Sequence, residues 1–186
     1  MEMTEVILVD NNDKPIGSRE KLEAHQQGLL HRAFSIFIFN ARGEMLLQQR
    51  ARNKYHSGGL WSNACCSHPC PGEETLPAAR RRLKEELGFE VSIEKIFDFV
   101  YQTAFDNGLT EHEFDHVFVG EYGGKIDFNK EEVMDFCYKS IREIRQTLQT
   151  HPQKYTTWFH LAFPKIETWW NQRYKDLQPK DFNAIQ

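Results

Sequence analysis

Ser67 to Phe89 reads S-H-P-C-P-G-E-E-T-L-P-A-A-R-R-R-L-K-E-E-L-G-F, and this stretch decides the fold. Thr75 is placed to cap a helix that runs through A-A-R-R-R-L-K-E-E-L, a run of strong helix formers. Gly88 followed by Phe89 is its expected stop, because glycine adopts the left-handed conformation that closes a helix. Just upstream, Trp61 to Cys66 is a short segment entering the Cys-x-His of Cys66 and His68. Before it, Ala51 to Gly59 is polar and aperiodic and reads as a loop with functional potential.

Toward the N-terminus, Val6 to Val9 and Ile16 to Arg19 read as two strands around the turn D-N-N-D-K-P. Lys21 to His25 follows closely. His31 opens H-R-A-F-S-I-F-I-F-N, where Phe34, Ile36 and Ile38 alternate with other apolar residues, so both faces of that strand should be buried. N-A-R-G-E turns the chain into a partner strand, Met45 to Arg50. Toward the C-terminus, Ile96 to Phe105 and Glu111 to Tyr122 flank Asp106-Asn107-Gly108, residues that tolerate positive φ and mark a hairpin. A strand near Val133 to Tyr138 and helices over Ile141 to Gln149 and Trp158 to Tyr174 complete a mixed α/β/α pattern. The expectation is one domain over residues 1–186, the last dozen or so, from about Lys175, forming a tail.

The chain has 186 residues, 40% of them hydrophobic and 27% charged, which suits one globular core. Its net charge of −4 leaves no excess of positive charge to neutralise a nucleic-acid backbone. The opening M-E-M-T-E-V-I-L-V-D has no apolar run of signal length, and no later segment approaches a membrane span. A cytoplasmic protein, a monomer or weak homodimer with neither nucleic acid nor membrane as partner, is therefore expected. Cysteines at 65, 66, 70 and 137 do not form a secreted disulfide framework and fit reduced thiols. A zinc knuckle built on C-C-x-H-x-C would need a second paired motif that the chain lacks.

Period two puts Glu111, Glu113 and Asp115 on one strand face, while His112 and His116 point away. His25 and His31 upstream, with His68, could join the two glutamates in a site of five or six donors for a borderline or hard divalent ion. Cys66 would then be free for chemistry. His56, His112, His116, His151 and His160 receive no role, Cys65, Cys70 and Cys137 read as inert, and Trp169 and Trp170 read as packing residues.

The pattern S-x5-E-x7-R-R-L-x-E-E-x-G-F over Ser67, Glu73, Arg81, Leu83, Glu85, Glu86, Gly88 and Phe89 resembles the Nudix box. Ser67 stands where the box has its first glycine, and Arg82 where it has a metal-binding glutamate. With W-S-N-A-C-C-S-H-P, T-E-H-E-F and Y-T-T-W ending at Trp158, the chain is similar, over nearly its whole length, to the type 1 isopentenyl-diphosphate isomerases. That resemblance implies a Nudix-like α/β/α sandwich with a mixed sheet. It implies metal ligands His25, His31, His68, Glu111 and Glu113, filled by magnesium, manganese or zinc. It implies Cys66 and Glu113 as the proton-handling pair, with Tyr101 beside them and Trp158 against the hydrocarbon. Glu86 would lie near a second magnesium on the diphosphate, and Lys21, Arg50, Lys54, Arg82 and Ser67 at diphosphate-contacting positions.

Such enzymes interconvert isopentenyl and dimethylallyl diphosphate by adding a proton at one end of an allylic unit and removing one from the other. The tertiary carbocation between those steps needs an aromatic wall, worth on the order of 2 kcal/mol when desolvated, and shelter from water. Glu113, helped by Tyr101, is assigned as donor to the terminal methylene, and the Cys66 thiolate as acceptor from the internal one. Two other functions compete: a Nudix pyrophosphohydrolase of nucleoside diphosphate derivatives, which Arg82 disfavours, and a non-catalytic Nudix-scaffold binding module, which would have lost Cys66 or the glutamates.

Overall fold

The computed structural model describes residues 5–54 and 56–174; the tail expected from about Lys175 lies outside them. Strands β1 (Glu5–Val9) and β2 (Pro15–Glu20) form the opening hairpin. Lys21 to His25 belongs to a helix, α1 (Lys21–Gln27), capped by the Glu20 carboxylate on Glu23 N at 2.9 Å and closed by Gly28 in the left-handed region. The central strand β3 (His31–Phe39) is buried on both faces apart from Arg32. It is followed by β4 (Met45–Arg50), the short β5 (Trp61–Ser62) and β6 (Cys65–Ser67), and α2 (Thr75–Leu87). The long hairpin β7 (Ile93–Ala104) and β8 (Thr110–Glu121), then β9 (Val133–Lys139), α3 (Ile141–Thr150) and α4 (Thr157–Arg173), complete the fold.

All nine strands of the described residues join one mixed sheet. One edge of β3 pairs in parallel with β8, from His31 opposite Glu113 to Phe39 opposite Glu121, and the other meets β6, with Ser35 opposite Cys66. These two registers bring a histidine beside a glutamate and a serine beside a cysteine, residues far apart in sequence.

Both faces of β3 are covered because helices lie on each. Phe34, Ile36 and Ile38 pack with Ala78, Ala79, Leu83 and Leu87 of α2. Phe37 and Phe39 pack with Ile141 and Ile144 of α3 and with Phe159, Phe163 and Ile166 of α4. The expected α/β/α sandwich with a mixed sheet is therefore present.

Thr75 does not cap α2. Glu74 holds the cap position with no side-chain cap bond, and Thr75 is the first helical residue. Instead Glu73 organises the entry, its carboxylate accepting from Cys70 N at 3.0 Å and from the Arg81 guanidinium at 2.8 Å. Gly88 does end α2, with φ 75°, and a Cβ there would lie 2.3 Å from Asp127 O, so only glycine fits.

Candidate active site

Strands β3, β4, β6, β7 and β8, the first residue of α1, the start of α4 and the 51–60 loop converge on a cavity of about 40 Å³ lined by Lys21, Ser35, Arg50, His56, Cys66, Ser67, His68, Tyr101, Glu111, Glu113 and Trp158. His25 and His31 are fully buried against this group. Each is oriented by its Nδ1, which donates to Lys21 O at 2.7 Å in His25 and to Leu29 O at 2.8 Å in His31. A proton held on Nδ1 leaves Nε2 as the inward donor atom, the arrangement that imidazole ligands of metals adopt.

His31 Nε2 lies 3.2 Å from His68 Nε2, and His68 Nε2 lies 2.9 Å from Glu113 Oε1. The ligating atoms of His25, His31, His68 and Glu113 are all within 4.8 Å of one another, as are those of His25, His56 and Glu111. Burial is the main force on these groups. It brings His25 down to about 4 and His56 and His68 to about 3, so all three imidazoles are neutral at physiological pH. Burial also acts to raise Glu113, but the adjoining His31 and His68 rings outweigh it and hold this carboxyl well below the usual range. Glu111, buried and facing the Glu113 charge, is pushed well above it. Two buried carboxylates that resist ionising together, surrounded by neutral imidazoles, are a donor set fitted to a divalent cation.

Tyr101, opposite Glu113 in the β7–β8 register, donates its hydroxyl to Glu113 Oε2 at 2.7 Å and approaches Glu111 Oε2 at 3.2 Å. Cys66 Sγ lies 3.0 Å from Asn63 Oδ1 and 3.4 Å from Ser35 Oγ, and Ser35 donates to Asp115 Oδ2 at 2.7 Å. The other Asp115 oxygen is buried with no hydrogen-bond partner among the described residues. Burial, then the Asp115 charge, pushes the Cys66 thiol up. The resting pair is therefore a thiol and a carboxylate, the opposite of the thiolate and carboxylic acid expected above: enclosure disfavours the thiolate more than its hydrogen bonds favour it, while imidazoles surround Glu113.

Trp158, the second residue of α4, lines the cavity with its Nε1 lacking a hydrogen-bond partner among the described residues. The Arg50 guanidinium carbon lies over its ring, 5.1 Å from the centroid. Lys21 and Ser67 line the cavity too, whereas Lys54, Arg82 and Glu86 do not. These three form a neighbouring charge network: Lys54 with Glu132, and Arg82 with Glu86 at 2.8 Å, Glu85 at 2.7 Å and Glu132 at 3.3 Å. The Arg82 to Glu86 pair is more enclosed than an exposed helix pair, with side-chain exposures of 21% and 7%.

His56, given no role from sequence, is brought into the site. Its Nε2 lies 3.2 Å from Glu111 Oε1 and its ring stacks on Phe105 at 4.8 Å. No periodic signal in its loop pointed to it; only the bare presence of a histidine in a functional loop did. Asp115 was placed on the right strand face, but its link to Cys66 runs through Ser35, which only the β3–β6 pairing reveals.

The NUDIX domain family model matches residues 29–159. The isopentenyl-diphosphate Delta-isomerase of Pectobacterium atrosepticum is 52% identical over 97% of this chain and the whole of that protein. The one from Serratia proteamaculans is 51% identical over 88% of this chain and 94% of its own length. Solved structures of a Deinococcus radiodurans protein (TM-score 0.66, 16% identity, 79% of this chain and 90% of that one) and of the MutT protein of Methanosarcina mazei (TM-score 0.62, 18% identity, 75% and 94%) share the fold. With the box helix, the two-sided sheet and the His/Glu centre in place, this chain belongs to the Nudix family and, within it, to the isopentenyl-diphosphate Delta-isomerases.

Proposed function

We propose that the protein interconverts isopentenyl diphosphate and dimethylallyl diphosphate by proton transfer between Cys66, Glu113 and the allylic unit. The observation that carries this reading is that Cys66 and Glu113, on strands flanking β3, line one cavity together with Trp158. Such a pair can add a proton to one carbon and remove one from another, which hydrolysis does not require.

In the resting charge state the proton sits on sulfur, so Cys66 donates first, to the terminal methylene. The alkene π pair forms the new C–H bond and leaves a tertiary cation. Glu113 then takes a proton from the internal methylene, and that C–H pair becomes the new double bond. Exchange with solvent returns a proton to sulfur and removes one from Glu113; the Tyr101 hydroxyl holds the carboxylate in place meanwhile. This order reverses the one expected from sequence. Deuterium incorporation separates them: Cys66→Ala and Glu113→Gln should each lower kcat/KM by about 10² to 10⁴, and in deuterated water Cys66→Ala should lose label at the terminal carbon of isopentenyl diphosphate while Glu113→Gln keeps it. Loss of terminal-methylene labelling only in Glu113→Gln would restore the Glu113-first order.

The cavity has room for about three waters, less than a five-carbon chain occupies, so substrate entry must displace side chains. Arg50 is the group placed to move: drawn to a phosphate oxygen, it frees the Trp158 face for the hydrocarbon cation. Lys21, Arg50 and Ser67 would bind the diphosphate, joined by Lys54 and Arg82 once these exchange Glu132 and Glu86 for phosphate oxygens. Glu86, released in that way, would hold a second magnesium. A divalent ion, magnesium, manganese or zinc, held by His25, His31, His68, Glu111 and Glu113 would supply positive charge that keeps both carboxylates ionised.

The hydrolase reading has less support, since the box residues Arg81 and Arg82 engage Glu73, Glu85 and Glu86 in ion pairs. Isopentenyl diphosphate and a nucleoside diphosphate sugar assayed side by side test the choice. Isomerisation without phosphate release is expected, and phosphate release without isomerisation would overturn the proposal.

A further inference from the structure

We infer that His56 is a sixth protein ligand of the divalent-metal centre, joining His25, His31, His68, Glu111 and Glu113. The inference rests on the metal centre proposed above and extends it to a residue outside the family's motif.

The first ground is position. His56 is buried, and its Nε2 stands 3.2 Å from Glu111 Oε1. Adjacent donors around an ion with bonds of about 2.1 Å lie about 3 Å apart in an octahedron. The 3.2 Å between His31 and His68 and the 2.9 Å between His68 and Glu113 match that spacing. The His56–Glu111 contact is a third edge of the same length. His25 belongs to both groups of donors, and a single imidazole Nε2 binds one ion, so an ion held by His25 lies between the two groups and would draw them together around it.

Orientation is the second ground. In His25 and His31 the Nδ1 faces outward to an oxygen, and His56 repeats this with Nδ1 3.3 Å from Ser57 Oγ. The ring is further fixed by stacking on Phe105 and by an edge contact to Trp158 at 5.9 Å. The third ground is backbone. Ser57 takes φ 53°, a conformation uncommon outside glycine, and a Cβ on Gly58 would meet Arg52 O at 2.6 Å. The loop is folded back tightly right after His56, and that fold turns its imidazole inward.

Six protein donors, four imidazoles and two carboxylates, would saturate an octahedral ion. The centre would then position and polarise Glu113 and Glu111 with no coordination site left for the diphosphate.

The test uses protein stripped with chelator and reloaded with Co²⁺, read by its ligand-field spectrum, and with Mn²⁺, read by competitive affinity and by the number of coordinated nitrogens in pulsed EPR. His56→Phe retains a ring to stack on Phe105 but removes the donor. It should weaken metal binding by about 10- to 100-fold, remove one coordinated nitrogen, shift the Co²⁺ spectrum toward lower coordination, and leave the melting temperature of the metal-free protein near wild type. Should the Phe variant not fold, His56→Gln gives the same reading. Unchanged affinity, nitrogen count and spectrum in the His56 variants, with metal lost in His31→Phe, would overturn this inference alone. Full metal retention in His31→Phe as well, or no metal binding by the wild type, would overturn the centre itself and the inference with it.

Discussion

Lys21 carries a charge that titrates close to physiological pH. Burial, with repulsion from Arg50 next, brings its ammonium down from 10.5 to about 8. Below that value the lysine is a cation facing the cavity, and above it a neutral amine, so KM for isopentenyl diphosphate should rise several-fold between pH 7 and 9. In Lys21→Met this rise should disappear while the low-pH KM is already raised. The stability effect has its own sign: the unfolded chain holds this proton up to about 10.5, so stability rises with pH between about 8 and that value. Ser35 makes a second prediction, since it links Cys66 to Asp115. Ser35→Ala should lower kcat about tenfold, equivalent to about 1.4 kcal/mol, with KM unchanged, because it loosens the thiol without touching the diphosphate side. At this scale the Glu111 and Glu113 face was read from alternation, and Cys66 from its offset to His68 within the matching motif. Tyr101 and Trp158 came from resemblance, and His56 stayed hidden because an aperiodic loop carries no directional signal.

Helix caps show how local chemistry and tertiary context divide the work. In α3, Ser140 Oγ accepts from Glu143 N at 3.2 Å while the Glu143 carboxylate accepts from Ser140 N at 2.9 Å, a complete capping box. Ser140→Ala should therefore cost about 1 kcal/mol in urea unfolding. Thr75→Ala should stay within about 0.5 kcal/mol, since Thr75 makes no cap bond and Glu73 with Arg81 ties down the start of α2. The helix at Ile141 was expected from the sequence without its cap, and the Glu73 clamp was not, because it closes across two turns of helix. The strands were easier. Apolar residues on both faces of β3 announced a layer of helices on each side, and the D-N-G turn set the β7–β8 hairpin to within a few residues.

Across the molecule, the candidate donors come from α1, β3, the residue after β6, β8 and the 51–60 loop, so a bound ion would tie the sheet to its flanking segments. Ligation of the folded state alone adds about 2.7 kcal/mol when free metal is a hundred times Kd. For a chain of this size that corresponds to a melting temperature about 5–10 °C higher. Chelation should lower the melting temperature by that amount and metal should restore it; no shift on stripping metal would contradict a centre that bridges these elements. None of the described helices is long and apolar enough to cross a bilayer.

The parallel pairing of β3 with β8 sets His31 beside Glu113, 82 positions further along a chain of 186 residues. Joining strands so distant in sequence is a late event for a folding chain, because the entropy of closing the intervening loop is lost before any contact repays it. The metal donors are therefore scattered until that pairing forms, and a truncated or half-folded chain offers an ion only isolated histidines. Metal uptake followed during refolding should track the slow formation of this strand pair, making the ion a reporter of completed folding.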